Sequence, residues 1–183
     1  MAVWIFLGVF ILIAVWAVAI FNRLVKNRNL VLEGWSGIDV QLKRRYDLIP
    51  NLVETVKGYA GHEKETLARI VELRNSAARA QTVSEKAPIE NMLTQTLRQL
   101  FALAEAYPDL KANQNFLDLQ GQLSEIEEQI QFARRYYNGA ARDMNIMVQS
   151  FPSNIIARSF GFKEADYFEV ELATEREAPK VQF

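Results

Sequence analysis

His62 is the only histidine in the chain, and with Glu63 beside it the pair is the nearest approach to a metal-binding or general-base motif. A zincin requires a second His four residues after the first, and none exists. A di-iron bundle requires paired Glu-x-x-His motifs, and no Glu stands three residues before His62. The chain has no cysteine, which excludes disulfides, thiolate catalysis and cysteine metal sites and fits a reducing compartment. No His adjoins a Ser, so the usual nucleophile–base pairs are missing, and neither a Walker loop nor a dinucleotide fingerprint occurs. The expectation is an ordinary, partly exposed helical His62, no catalytic residue, no metal, no cofactor and no enzymatic activity.

The remaining groups with chemical potential are basic. Lys43-Arg44-Arg45 and Arg134-Arg135 admit two readings. One is a site for anionic lipid or an acidic partner. The other is a salt-bridge network with Asp39, Asp47 and Asp143. The second is preferred, because the guanidinium fork suits carboxylates between helices and Arg45 falls on an apolar seam. Stacking of Arg134 or Arg135 on Tyr136 or Tyr137 is a further use of the same groups. Asp39, Arg44, Arg45, Asp47, Arg134, Arg135, Tyr136 and Asp143 thus form the candidate interface or salt-bridge set. A separate basic group, Arg23, Lys26 and Arg28, suits lipid headgroups. Lys43 to Arg45 lie about 20 residues beyond Arg23, roughly 30 Å along a helix, too far to meet the same membrane plane. A formal net charge of −1 gives no bulk attraction to nucleic acid.

These groups are positioned by an apolar start. No charged side chain occurs between Met1 and Asn22, and Ala2, Trp4, Phe6, Phe10, Trp16 and Phe21 mark a candidate membrane-spanning stretch. A helix of about 20 residues rises about 30 Å, the thickness of a bilayer's hydrocarbon core. A cleaved signal peptide is disfavoured although Ala17-Val18-Ala19 resembles a cleavage site, because no basic segment precedes the apolar run. A buried core helix is disfavoured because no polar face exists. The basic flank at Arg23, Lys26 and Arg28 places the N-terminus outside and the body in the cytoplasm, by the positive-inside rule.

Beyond the anchor the apolar residues step by threes and fours. Val31, Trp35, Ile38, Leu42, Ile49, Leu52, Val56 and Tyr59 form one stripe, with Arg45 on the seam. Gly34 and Gly37 weaken this helix or admit a close neighbour. Around Asp47 and Pro50 two options stand, a tight turn or one kinked helix, and two helices are preferred. The second of these continues through Leu67, Ile70 and Val71 towards Ala80. Ser84 is the candidate cap of a third, with Pro88 in its first turn and Ile89, Leu93, Leu97, Leu100, Ala104 and Tyr107 on one side. The fourth carries the longest seam: Phe116, Leu119, Leu123, Ile126, Ile130, Ala133, Tyr137, Ala140, Met144, Met147 and Phe151. Such a seam implies coiled-coil-like packing within or between chains, and Phe151-Pro152 stops it. Ile155, Ile156, Phe160 and Phe162 then predict a short helix and a turn at Gly161 that close one end of the bundle. The last residues are either a disordered end or an extended one that docks on a partner. The expected fold is all-α: a transmembrane helix over 1–22, an antiparallel bundle of about four long helices over 23–152, and a capping segment and tail over 153–183.

Two groups of motifs carry a family resemblance. The first is Trp35-Ser36 with the run from Ile38 to Ala60, including Arg44-Arg45-Tyr46-Asp47-Leu48-Ile49-Pro50-Asn51-Leu52. The second is Ala106-Tyr107-Pro108-Asp109-Leu110, Ala133-Arg134-Arg135-Tyr136-Tyr137-Asn138, Arg142-Asp143, Asn145 and Phe151-Pro152-Ser153-Asn154 through Phe160-Gly161-Phe162. In these the chain resembles the LemA family of bacterial membrane proteins. The resemblance covers nearly the whole chain. It implies a cytoplasmic helical bundle behind one N-terminal helix in the bacterial inner membrane, and no established catalytic role.

The functional expectation is a non-enzymatic, single-pass membrane protein whose bundle self-assembles as a scaffold. Its partners would be the lipid bilayer, further copies of itself and other membrane proteins, and not nucleic acid. The alternative is a monomeric, membrane-tethered adaptor or regulator of a membrane protease or sensor complex, binding through Phe160 to Phe183.

Overall fold

The computed structural model describes residues 1–60 and 63–169. Within them the chain forms six helices: α1 (Ala2–Lys57), α2 (Lys64–Arg79), α3 (Val83–Ala104), α4 (Pro108–Lys111), α5 (Gln114–Gln149) and α6 (Ser153–Ser159). No strand occurs among the described residues, and the all-α expectation holds. The chain packs as two compact units. One comprises residues 1–40 and 131–167, the other residues 41–130 with Phe168 and Glu169. Packing therefore cuts across the three sequential segments read from the sequence.

In the unit of residues 41–130 four helical segments alternate in direction. Tyr107 OH donates to Glu63 Oε1 at 3.0 Å, and Asn113 Nδ2 donates to Tyr59 OH at 2.9 Å. These bonds gather the end of α1, the start of α2, the end of α3 and the start of α5 at one pole. Ile49, Leu52, Val53, Val56, Leu67, Ile70, Leu93, Leu97, Leu100, Phe116, Leu119, Leu123, Ile126 and Ile130 are buried. Their 3,4 spacing is what turned a face of each helix inward.

The preference for two helices around Pro50 is overturned, and so is the expected run of the second on to Ala80: α1 ends at Lys57 and α2 begins at Lys64. α1 runs unbroken for 56 residues with Pro50 inside it. Proline removes the N–H that would bond the carbonyl four residues earlier. That carbonyl belongs to Tyr46, and Arg74 Nε of α2 donates to it at 3.2 Å. A neighbouring helix thus supplies the missing donor.

Other boundaries shift by local chemistry. Thr82, not Ser84, caps α3: its side chain accepts from the Glu85 N–H and the Glu85 carboxylate accepts from the Thr82 N–H, a complete capping box. Pro88 lies beyond the first turn. Ile89 is only partly buried, and Lys86 and Glu90 take the inward positions instead. Asn113 caps α5, its Oδ1 accepting from the Phe116 N–H at 3.0 Å.

In the unit of residues 1–40 and 131–167, α1 and α5 run antiparallel. Asn27 Nδ2 lies 3.0 Å from Met147 Sδ, and the Trp35 and Tyr137 ring centroids are 5.9 Å apart. Ile20, Leu24, Met144, Met147, Ala157 and Phe162 form a core cluster. The short helix and Gly161 turn expected from the sequence are present as α6. Gly161 has φ 70°. The Gly161 N–H donates to the Arg158 carbonyl and the Phe162 N–H to the Ala157 carbonyl at 2.9 Å. This paired closure uses the left-handed conformation that glycine adopts cheaply, and it turns Phe162 back onto Ala157 in the core.

Gly34 and Gly37 behave differently. A Cβ on Gly34 would sit 3.0 Å from Tyr137 Cα and 3.1 Å from Tyr136 Cδ1, whereas one on Gly37 would meet nothing within 4 Å. Only Gly34 admits a close neighbour. Gly34→Ala is therefore expected to destabilise, since overpacking costs about 1–3 kcal/mol against the ~1 kcal/mol gained in helix propensity. Gly37→Ala is expected to stabilise by up to about 1 kcal/mol. Urea midpoints of the two variants should move in opposite directions. Equal shifts would show that the two helices are not in contact at Gly34.

Candidate functional site

The residues of the sequence-derived set separate by burial. Arg45 and Arg134 are buried; Asp39, Arg44, Asp47, Arg135, Tyr136 and Asp143 are exposed. The expected Asp partners are not the ones that bind Arg45. Its guanidinium is 1% exposed and pairs with Glu90 of α3 and with Glu127 of α5. Nη1 donates to Glu127 Oε2 at 2.7 Å and to Thr94 Oγ1 at 2.8 Å, while Nη2 donates to Glu90 Oε2. Tyr46 OH donates to the other oxygen of Glu90. Thr94 Oγ1 closes the ring to Glu127 Oε2 at 3.2 Å. Burial pulls the Arg45 pKa below its ordinary value, and the charge of Glu127 opposes that pull. Arg45 Nε is buried with no hydrogen-bond partner among the described residues.

The partners of Arg45 left a signal in the sequence. Counting back from Leu93 by three and then four gives Glu90 and Lys86, both on the α3 seam. A carboxylate and a cation on an otherwise apolar stripe are expensive to bury alone and point to an opposite charge on a facing seam. Arg45 is that charge.

A second polar group holds the segment after α6. Asn145 grips the backbone of Ala165 at two points: Nδ2 donates to its carbonyl at 2.9 Å, and its N–H donates to Asn145 Oδ1 at 2.7 Å. Tyr137 OH donates to the Asp166 carbonyl at 2.7 Å. Desolvation, with the nearby charge of Asp166, pushes the Tyr137 pKa up to about 12. Asp143 pairs with its neighbour Arg142 at 3.1 Å, and the Arg135 guanidinium lies 4.6 Å over the Phe132 ring. The expected stacking of Arg135 on a tyrosine is therefore replaced by a phenylalanine one helical turn away.

The apolar N-terminal half of α1 is long and hydrophobic enough to cross a membrane. Ala2, Trp4, Phe6, Phe10 and Trp16 are exposed, as are Arg23, Lys26 and Arg28. Phe21 differs: it is partly buried, with its ring 4.8 Å from Phe160 and 5.7 Å from Phe162. Among the described residues no three His, Cys, Asp or Glu side chains come together as a metal site. His62 lies outside the described residues. A groove of about 690 Å³ between α1 and α2, lined by Val53, Lys57, Leu67, Ala68, Val71 and Asn75 among others, holds no nucleophile–base pair.

The sequence profile of the LemA family matches residues 34–183. The chain belongs to the LemA family. Among its relatives, protein LemA of Metamycoplasma hominis is 27% identical over 150 residues, covering 81% of this chain and 68% of the relative. Magnetosome protein MamQ 2 of Paramagnetospirillum magneticum is 26% identical over 167 residues, covering 75% of this chain and 60% of the relative. Magnetosome protein MamQ of Magnetospirillum gryphiswaldense is 22% identical over 162 residues, with 73% and 58% covered. The chain thus spans about three fifths of the length of the magnetosome relatives. This LemA-family chain is a membrane-associated protein with an apolar N-terminal helix.

Two outcomes follow from the polar groups. Removing one partner of a buried ion pair strands the other charge, so Glu90→Ala should cost about 3–5 kcal/mol in urea unfolding. Arg45→Met combined with Glu90→Leu should recover part of that loss, because the fully buried guanidinium and carboxylate are both gone and Glu127, 20% exposed, keeps access to water. A Glu90→Ala cost near zero would mean that water reaches Arg45. The second outcome concerns pH. The raised folded-state pKa of Tyr137 favours its neutral form, so its contribution to stability is complete below pH 10 and falls as pH rises towards about 12. Tyr137→Phe should lack that part of the decline in thermal stability between pH 9 and 12. Parallel curves for the two proteins would show that the phenol is open to water.

Proposed function

We propose that this protein is a non-enzymatic, single-pass membrane scaffold whose helical body assembles with further copies of itself on the bilayer. The observation that carries the reading is the continuity of α1. The apolar stretch is not tied to the body by a linker; it is the first part of a 56-residue helix whose later turns pack in the bundle. A helix that is both membrane span and, from Ile20 on, part of a core shared with α5 and α6 holds that folded unit in a fixed attitude to the membrane, as an ordered array requires. Exposed apolar and aromatic side chains along the same helices, Val40, Phe132, Tyr136 and Ile146, offer contact surface between copies. Arg44, Asp47, Arg135 and Asp143 supply exposed charges of both signs for fixing its register. The buried state of the Arg45 cluster favours a structural use over catalysis. The basic flank Arg23, Lys26 and Arg28 favours an inner-membrane topology with the N-terminus outside and the body in the cytoplasm.

The test is the mass of the full-length protein in mild detergent and in lipid, compared with a version beginning at Asn22. Light scattering and electron microscopy should find a large, regular particle for the first and a small species for the second. A monomer in both forms would end the scaffold reading and leave the tethered adaptor. Of the segment Phe160 to Phe183 assigned to partner capture in that alternative, residues 170–183 lie outside the described residues.

A further inference from the structure

We propose that the corner between α5 and α6 is a second membrane contact, in which Phe151, Ile155 and Phe160 enter the headgroup region of an anionic bilayer beside the point where α1 emerges. The proposal rests on the reading of α1 as a membrane span.

Phe151 ends the longest apolar seam in the sequence, and its spacing predicts burial. It is instead 80% exposed, and Ile155 and Phe160 are 55% and 63% exposed. α6 is two-sided: Ala157 is buried and Ile156 packs against the core, while Ile155, Arg158 and Ser159 face outward. Large apolar side chains left outside next to a folded core need an apolar or interfacial occupant.

Their position identifies that occupant. Ile20 is the first buried residue on α1, and every residue before it is exposed or, at Ala17, partly so. The lower boundary of the folded unit therefore coincides with the upper end of the apolar span. Phe160 contacts Phe21 at that boundary, and Ala157 and Phe162 share a core with Ile20 and Leu24. α5 runs on past Met147, whose sulfur meets Asn27, to Gln149, so Phe151 follows the helix end that points towards the same boundary.

The charge pattern agrees. No Asp or Glu occurs from residue 1 to 32, or from residue 144 to 163. The charged residues on these two stretches are Arg23, Lys26, Arg28, Arg158 and Lys163, all exposed. The first acids flanking them are Glu33, Asp143 and Glu164. An apolar patch flanked by these five cations, with one carboxylate beside it in Glu164, which accepts from Gln149 Nε2 at 2.9 Å, and continuous with a membrane span, fits a bilayer carrying anionic headgroups.

The absence of cysteine allows a direct test with single cysteines in the full-length chain. Phe10→Cys, Glu33→Cys and Ile155→Cys would each carry an environment-sensitive fluorophore in vesicles of phosphatidylcholine and phosphatidylglycerol. Ile155 should be shielded from aqueous iodide and quenched most by nitroxides near the headgroup. Phe10 should be quenched by nitroxides deep in the acyl chains, and Glu33 by iodide alone. Adding Phe151→Glu and Phe160→Glu should expose the Ile155 label to iodide, and omitting phosphatidylglycerol should weaken its shallow quenching. If Ile155 is as open to iodide as Glu33 while Phe10 is quenched deeply, the second contact is wrong and the span stands. If Phe10 itself is open to iodide, the span fails and the proposal falls with it. If Ile155 is shielded from both quenchers and its emission recovers on dilution with unlabelled protein, a second copy covers the corner and the proposal is overturned.

Discussion

A guanidinium taken out of water sets the terms for residues 41–130. Desolvating one ion costs several kcal/mol even after relaxation, and only well-placed counter-charges offset it. Arg45 finds them on two other helices, Glu90 on α3 and Glu127 on α5, with Thr94 sharing the fork. The planar fork fixes direction as well as distance. Rotating α3 by one residue would move Glu90 off the seam and leave a bare charge behind. An apolar core of the same volume would tolerate such slips far better.

The adjoining residue extends the same constraint. Tyr46 holds the second oxygen of Glu90 with its hydroxyl, while its carbonyl, freed by Pro50, accepts from Arg74 of α2. Two consecutive positions on α1 thus reach α2, α3 and α5, the three other long helices of this unit. Pro50, which in isolation breaks a helix, serves here to expose an acceptor that a neighbour needs.

This explains what the sequence disclosed and what it withheld. Periodicity alone revealed α5, most of α2 and the seam of α1, because burial of a stripe is a local consequence of spacing. It could not reveal the continuity of α1 through Pro50, since the replacement donor lies 28 residues away in the chain. Arg45 was visible as a charge on a seam, but its partners were sought among aspartates near in sequence; Glu90 was masked by the apolar Ile89 beside it. The capping box at Thr82 and Glu85 was legible and was passed over for Ser84, which has the right chemistry but no Glu or Gln three residues on. The two-point grip of Asn145 on the Ala165 backbone left no sequence trace, because any residue type can offer its main chain. Phe151 is the instructive failure: perfect spacing carries no force once the helix that would present it has ended.

The bond between apolar span and folded unit also has a rotational meaning. α1 has no hinge between Trp16 and Leu24, and its far side is keyed into place by Phe21 against Phe160 and by Gly34 against Tyr137. Each residue of an α-helix turns the next by about 100°. Inserting one residue near Asn22 would therefore spin the whole lipid-facing surface about its axis while leaving composition and length almost untouched. Seven residues would restore the original azimuth to within about 20°. The span behaves as a keyed shaft rather than a float: which of its sides meets a neighbour in the bilayer is dictated by packing outside it.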